Sequence, residues 1–339
     1  MPSVVQSESA LNRSTETAWD YYANHRAVTT SLVASSRSLL GVARKPTLCL
    51  LGSGNLNDVD LAQLCHEFAE LSLIDIDVTA VRNGLSRQQN RHPALIDRLS
   101  TFKLLSADLS GLDRLIASQD TLTTSDISVA MLINAFGDFS LSTFLTSEGL
   151  PSRFHVVASC SLISQLIRQA RSLFSDVGVS NTAAILMRDF HLRTLVDLVE
   201  PGGCGVLITD FAGTSTGAPE LLHCETPIQL AEMTEAILRE KRYFLGLSPT
   251  DMYASLVGPL FSDACDSVEL TTPWCWDLGP EKRYLCYGLT FRKKLSSPTQ
   301  SDSPPSLSDR LTEFMKRTGI PITTSSDFHD ASDPRFRTE

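Results

Sequence analysis

The chain has 339 residues, enough for one large α/β domain with insertions or for two small ones. A net charge of -10 and a pI near 5.2 disfavour a nucleic-acid footprint, which needs a basic face. The eight cysteines sit apart with no C-x-x-C pair, against a zinc ribbon or a redox motif. The lack of an apolar leader or of a run of about 18 apolar residues sets the expectation of a soluble, cytoplasmic protein with no membrane contact.

Residues 1–14 are polar and read as loose. From Thr15 to Leu40 the residues Trp19, Tyr22, Ala23, Val28, Leu32, Leu39 and Leu40 recur helically, which predicts an amphipathic helix lying on a sheet. Leu48 to Leu51 is apolar and too short for a helix, so it reads as a buried strand. A turn, Gly52-Ser53-Gly54, follows. Asn57 and Asp58 then offer helix N-caps ahead of Leu61, Leu64, Cys65 and Phe68 at helical spacing. A second apolar run, Leu71 to Ile74, ends on Asp75 and Asp77. Strand, glycine turn, helix, strand and acid form the opening unit of a nucleotide-binding α/β sheet. Glycine lets the backbone approach a ligand, the helix start supplies free N–H groups, and the acid can accept two ribose hydroxyls.

The same unit separates ligand classes. A dinucleotide site wants G-x-G-x-x-G, and Gly52-Ser53-Gly54-Asn55-Leu56-Asn57 lacks the third glycine. Asp58 and Asp60 are poor company for a pyrophosphate, and no Gly-Lys-Ser/Thr follows for a P-loop. An adenosine ligand without phosphate suits the turn better, S-adenosylmethionine being the common one. The segments LLGSGN and LSLIDID resemble motif I and the acidic strand end of the class I S-adenosylmethionine-dependent methyltransferases.

The later elements compare with that family in order. A helix runs from Val78 to about Gln89, and Phe102 to Leu105 reads as strand three. Ser106-Ala107-Asp108-Leu109 resembles the third motif, whose acid meets adenine, although Asp108 equally reads as a helix cap before Leu112 and Leu115. Of two apolar runs, Asp126–Ala135 and Phe154–Ser159, the second is placed as strand four because it leads into CSLISQL, and 121–150 becomes a helical insertion. Ser159 and Cys160 then either line the pocket or only start a helix. Thr182 to Val199 is helical and stops at Pro201-Gly202-Gly203, with strand Gly205–Thr209 ending at Asp210. Helix, Pro-Gly-Gly, strand and acid is a second match to the family. His191, alone on its helix, receives no role.

Residues 211–265 form an excursion with helices at Pro227–Glu240 and Pro249–Leu260. The last strands are Ser267–Leu270 and Arg283–Arg292, linked by PWCWDLGPEK, in which Trp274 and Trp276 alternate, so that one can face the core and the other a substrate opening, with packing the preferred reading for both. From Leu295 to Pro305 the chain is a Ser/Pro-rich linker, followed by a short helix at Leu307–Arg317 and a polar tail.

The resemblance implies a Rossmann-like α/β fold: a seven-stranded, mostly parallel sheet with helices on both faces and an antiparallel C-terminal hairpin. It divides the chain into a helical lid (1–45), a methyltransferase domain (46–294) and a tail (295–339). It places Gly52, Ser53 and Gly54 against the methionine part, Asp75 on the ribose, and Asp108 and Leu109 at the adenine, with Asn55, Ile76 and Ser159 completing the cofactor set. Tyr22 and His25 on the lid become candidates to touch cofactor or substrate, and no metal is required. The Asn/Asp-Pro-Pro-Tyr signature, a paired cysteine nucleophile and a metal-binding acid cluster are all missing. That leaves a small molecule, preferred, or a protein side chain as acceptor. The alternatives are a non-catalytic scaffold and, with neither a third glycine nor a Tyr-Lys or His pair to support it, a dinucleotide oxidoreductase.

Overall fold

The computed structural model describes residues 4–42, 44–113 and 128–295. The expected tail helix and most of the linker lie outside them. The polar N-terminus is helix α1 (Val4–Ser14), a correction to the expected loose segment. The stripe from Thr15 to Leu40 is likewise not one helix: turns carry the chain to Tyr22, α2 (Ala23–Ser35) follows, and a 3-10 turn closes it at Ser36–Leu39.

Strand β1 (Thr47–Leu51) leads through the glycine turn to α3 (Leu61–Glu67). The cap of α3 is Asp60, whose side chain accepts from the Gln63 N–H, and not Asn57 or Asp58. β2 (Glu70–Asp75), α4 (Val78–Arg91, capped by Asp77) and β3 (Phe102–Ser106) complete the first half. The stretch read as insertion carries α5 (Val129–Asp138) and α6 (Leu141–Ser147), so the strand-four choice holds: β4 is Phe154–Cys160. Then come α7 (Ile163–Ser172), α8 (Val177–Leu198) and β5 (Val199–Gly213). Pro201-Gly202-Gly203 does not separate helix from strand as expected. It lies inside β5, where the register against β4 jumps from Phe154↔Val199 to Val156↔Cys204, so the extra residues are absorbed as a bulge.

After α9 (Pro227–Arg239) and α10 (Pro249–Val257) the chain ends in β6 (Cys265–Leu270), β7 (Trp274–Gly279) and β8 (Lys282–Lys293). The tryptophan segment read as a linker is therefore a strand, paired with β8 alone. The sheet runs β3-β2-β1-β4-β5-β8-β6, with β8 antiparallel to β5 and β6. This is the Rossmann-like sheet that the resemblance implies, with one strand added.

Alternation sorts the core. Cys49, Leu51, Ile74, Val157 and Leu207 face α5–α8 and α10, while Leu48, Leu50, Leu73, Val156 and Val206 face α2–α4. Parallel strands covered on both sides read as near-continuous apolar runs, hence LCLL and LSLI, the latter with a single buried serine, Ser72. α8 lies between the sheet and α5–α7 and is buried nearly all round. Among the described residues no single helix is long and apolar enough to cross a membrane.

Candidate functional site

β1 lies between β2 and β4, so the chain reverses direction across the sheet there, and the crevice outside the strand ends is where such sheets take ligands. A cavity of about 790 Å³ opens at that point. This is within the range of roughly 300–1,000 Å³ for small-molecule sites.

One end of the cavity is the glycine turn. Gly52 and Gly54 both have positive φ (71° and 44°), and a Cβ on Gly52 would meet Leu162 Cβ at 2.8 Å. The Gly54 N–H donates to Asp75 Oδ2 at 2.7 Å and the Asp77 N–H to Asp75 Oδ1 at 2.8 Å. Asp75 thus holds turn and strand end together. Beneath, Gly84 of α4 lets the Asn55 carbonyl pack where any side chain would collide. That close helix approach is the service a third turn glycine usually gives, here moved to another element.

α1 covers this end. The Asn55 amide donates to the Asn12 carbonyl, Asn12 Nδ2 reaches Asp77 Oδ2 at 3.4 Å, and Asn57 Nδ2 donates to the Thr15 carbonyl at 2.8 Å. Across the cavity, Glu8 Oε1 accepts from Gln169 Nε2 of α7 at 2.6 Å. Burial raises the Glu8 carboxyl, while Gln169 and Arg168 oppose it. The helix therefore spans from the glycine turn to α7, and nothing in its polar composition announced this.

Asp75 is buried, and burial raises its carboxyl despite the backbone bonds from Asp77, Gly54 and Ile76. A carboxylate offers about four lone-pair sites. The backbone bonds take part of that capacity, and the residue itself lines the cavity. Asp108 is engaged in the same way: Oδ1 accepts from the Ser110 N–H and hydroxyl, and Oδ2 from the Asp113 N–H. The carboxylate therefore acts as the cap that the sequence also offered, while the residue lines the cavity with Leu109.

Of the residues assigned from the sequence, Gly52, Gly54, Asn55, Asp75, Ile76, Asp108 and Leu109 come together on the cavity wall. Two do not. Ser53 Oγ donates to the Leu50 carbonyl at 3.2 Å, turned into its own loop. Ser159 is fully buried on the opposite side of the strand, 2.8 Å from His191 Nε2, in a site where burial lowers the imidazole to about 4. Strand alternation explains the error: the wall is formed by Cys160 and Ser161. Ser161 sits at φ 54°, a conformation strained for a residue with a side chain.

The other end of the cavity is assembled from distant segments: Tyr22 before α2, Asp58 before α3, Asp210 on β5, Trp276 on β7 and Tyr284 on β8. The Trp276 ring stacks on His25 at 4.5 Å and meets Tyr22 edge-on at 5.2 Å and Tyr284 at 5.8 Å. His25 is fully buried behind that ring and off the wall, against the expectation that it reaches a ligand. Trp274 Nε1 donates to His25 Nδ1 at 3.1 Å; an indole N–H only donates, so the ring proton sits on Nε2. Nε2 stands 3.2 Å from Asp58 Oδ1 and turns that carboxylate's neighbourhood into a fixed corner. Asp210 accepts from Ser164 Oγ at 2.6 Å, and burial raises its carboxyl.

Fold and site together define a Rossmann-like α/β protein with a ligand-sized cavity at the switch point of its sheet. No family model and no curated protein matches the sequence. Among solved structures the chain is similar to the N-methyltransferase NodS of Bradyrhizobium japonicum WM9, solved with S-adenosyl-L-homocysteine, at 12% identity over 79% of this chain and 86% of that one, with a TM-score of 0.34. It is similar to YcgJ of Bacillus subtilis at 10% identity, covering 80% of this chain and 100% of that one, TM-score 0.39. An O-methyltransferase family protein of Burkholderia thailandensis shares 12% identity over 87% of this chain and 61% of that one, TM-score 0.38. At such distances these likenesses say nothing of what the cavity binds.

Proposed function

We propose that the chain is an S-adenosylmethionine-dependent methyltransferase acting on a small molecule. The observation that carries this reading is Asp75, a buried carboxylate at the second strand end, tied to the Gly54 N–H and lining the cavity. Gly52 and Gly54 keep the wall beside it free of side chains. When bound, the cofactor supplies an electrophilic sulfonium methyl group. The protein's part is to bind and orient: Asp75 holds the ribose hydroxyls, Leu109 and Ile76 flank the base, and the turn lies along the amino-acid part. α1, tethered at Asn55, Asp77 and Gln169, serves as the lid that excludes water. Placing the nucleophile against the methyl group is then the chief catalytic task.

Calorimetric titration of the purified protein with S-adenosylhomocysteine, with NAD in a parallel cell, tests the reading. Micromolar binding of the first and none of the second is expected. Binding of NAD alone would make the protein an oxidoreductase relative, and silence for both would leave a non-catalytic scaffold.

A further inference from the structure

We propose that the end of the cavity formed by Tyr22, Asp58, Asp210, Trp276 and Tyr284 binds an organic ammonium ion, so that the acceptor is a cationic amine. The proposal rests on the methyltransferase reading only in naming that ligand the acceptor.

Three aromatic rings form one continuous wall there, with Trp276 touching both tyrosines. Among the described residues the Trp276 indole N–H has no hydrogen-bond partner, and the ring packs against His25 and Tyr22. Aromatic faces attract cations, indole most strongly, and more so when water is excluded. Lys282 Nζ already lies 5.5 Å from the Tyr284 ring centre, a cation over the same wall.

Two carboxylates complete the box. Asp58 and Asp210 line the same cavity as the Tyr22 ring. Asp210 is 5% exposed, and its direct partner is a neutral hydroxyl. Arg168 of α7, which also lines the cavity, acts on it, and His25 acts from behind the wall. A buried carboxylate so placed is relieved by a cation in the cavity more than by any neutral ligand. A cationic amine must release a proton before its nitrogen can act as nucleophile. Asp210, whose carboxyl burial raises, stands where that proton can go.

The test uses the full chain saturated with S-adenosylhomocysteine, titrated with choline, its uncharged isostere 3,3-dimethylbutan-1-ol, benzyltrimethylammonium as an aromatic ammonium ion, and phenylacetate as an anion. The ammonium ions should bind at least about tenfold tighter than the uncharged alcohol, a difference of about 1.4 kcal/mol. Asp210→Asn, which keeps the Ser164 bond, and Trp276→Leu should each remove that preference, and Trp276→Phe should retain part of it. Unchanged S-adenosylhomocysteine affinity in these variants certifies their fold. Equal binding of the alcohol, tighter binding of phenylacetate, no ammonium binding, or indifference to both substitutions overturns the proposal. Failure of S-adenosylhomocysteine to bind the wild type instead sinks the methyltransferase reading, and the ammonium titrations without it still decide the cation site.

Discussion

The two ends of the cavity are built in different ways. The glycine-turn end comes from consecutive elements, β1 through β3, and its key contacts are backbone N–H groups on one carboxylate, Asp75. The aromatic end draws Tyr22, Asp58, Asp210, Trp276 and Tyr284 from five separate places in the chain. Backbone-built sites are stiff and read one invariant ligand. Sites made of side chains on separate elements can be re-tailored one residue at a time, which suits the part that chooses the substrate.

Substitutions at each end should separate these roles. The largest effect is expected from Gly52→Val, which puts a branched side chain at φ 71° against Leu162. The protein should lose S-adenosylhomocysteine binding by about a hundredfold or more in calorimetry, against the ~1–2 kcal/mol of backbone strain alone. Asp75→Ala comes next, at about 2–3 kcal/mol of ligand affinity, because a buried charged acceptor of two backbone N–H groups and of the ribose is lost. Unchanged binding by that variant would show that the acidic strand end does not face the ligand.

At the other end, Asp210→Asn should leave S-adenosylhomocysteine affinity within about twofold. Its melting temperature should equal or exceed that of the wild type at neutral pH. The sign follows from burial, which raises the folded-state carboxyl above its unfolded value. Asp210 then favours the folded state below the ordinary carboxylate pKa and loses that contribution as pH rises through the raised value. The advantage of the variant should accordingly grow from about zero in acid to its full size near neutrality; an advantage that shrinks with rising pH would contradict the assignment. The smallest change is Asp60→Ala, which removes the α3 cap. It should lower stability by about 1 kcal/mol in denaturant titration and leave both ligands' affinities alone.

The same difference explains what could be read from the sequence. LCLLGSGN and LSLIDID carry strand, turn and acid within one contiguous stretch, so Gly52, Gly54 and Asp75 were visible together. The run FHVVASC gave β4, but period-two alternation sends Ser159 to the His191 side, and a one-residue choice of wall decided that assignment wrongly. α1 was invisible because its polar sequence carries few apolar anchors, and it is held by Asn12, Glu8 and the glycine turn. Trp276 and Asp210 reach the same wall through β7 and β5, which meet only through β8, and no local spacing encodes that meeting. The segment PWCWDLG read as a linker although Trp274 and Trp276 alternate with less buried residues, because the strand is short and pairs with β8 alone.

The most direct measurement is a crystal structure of the protein with S-adenosylhomocysteine. The ribose hydroxyls should lie on Asp75, with the base beside Leu109 and the sulfur directed toward the space between Asp210 and Trp276. A nucleoside lodged instead against Tyr22, Trp276 and Tyr284, or a sulfur turned away from that wall, would contradict the division of the cavity into a cofactor end and an acceptor end.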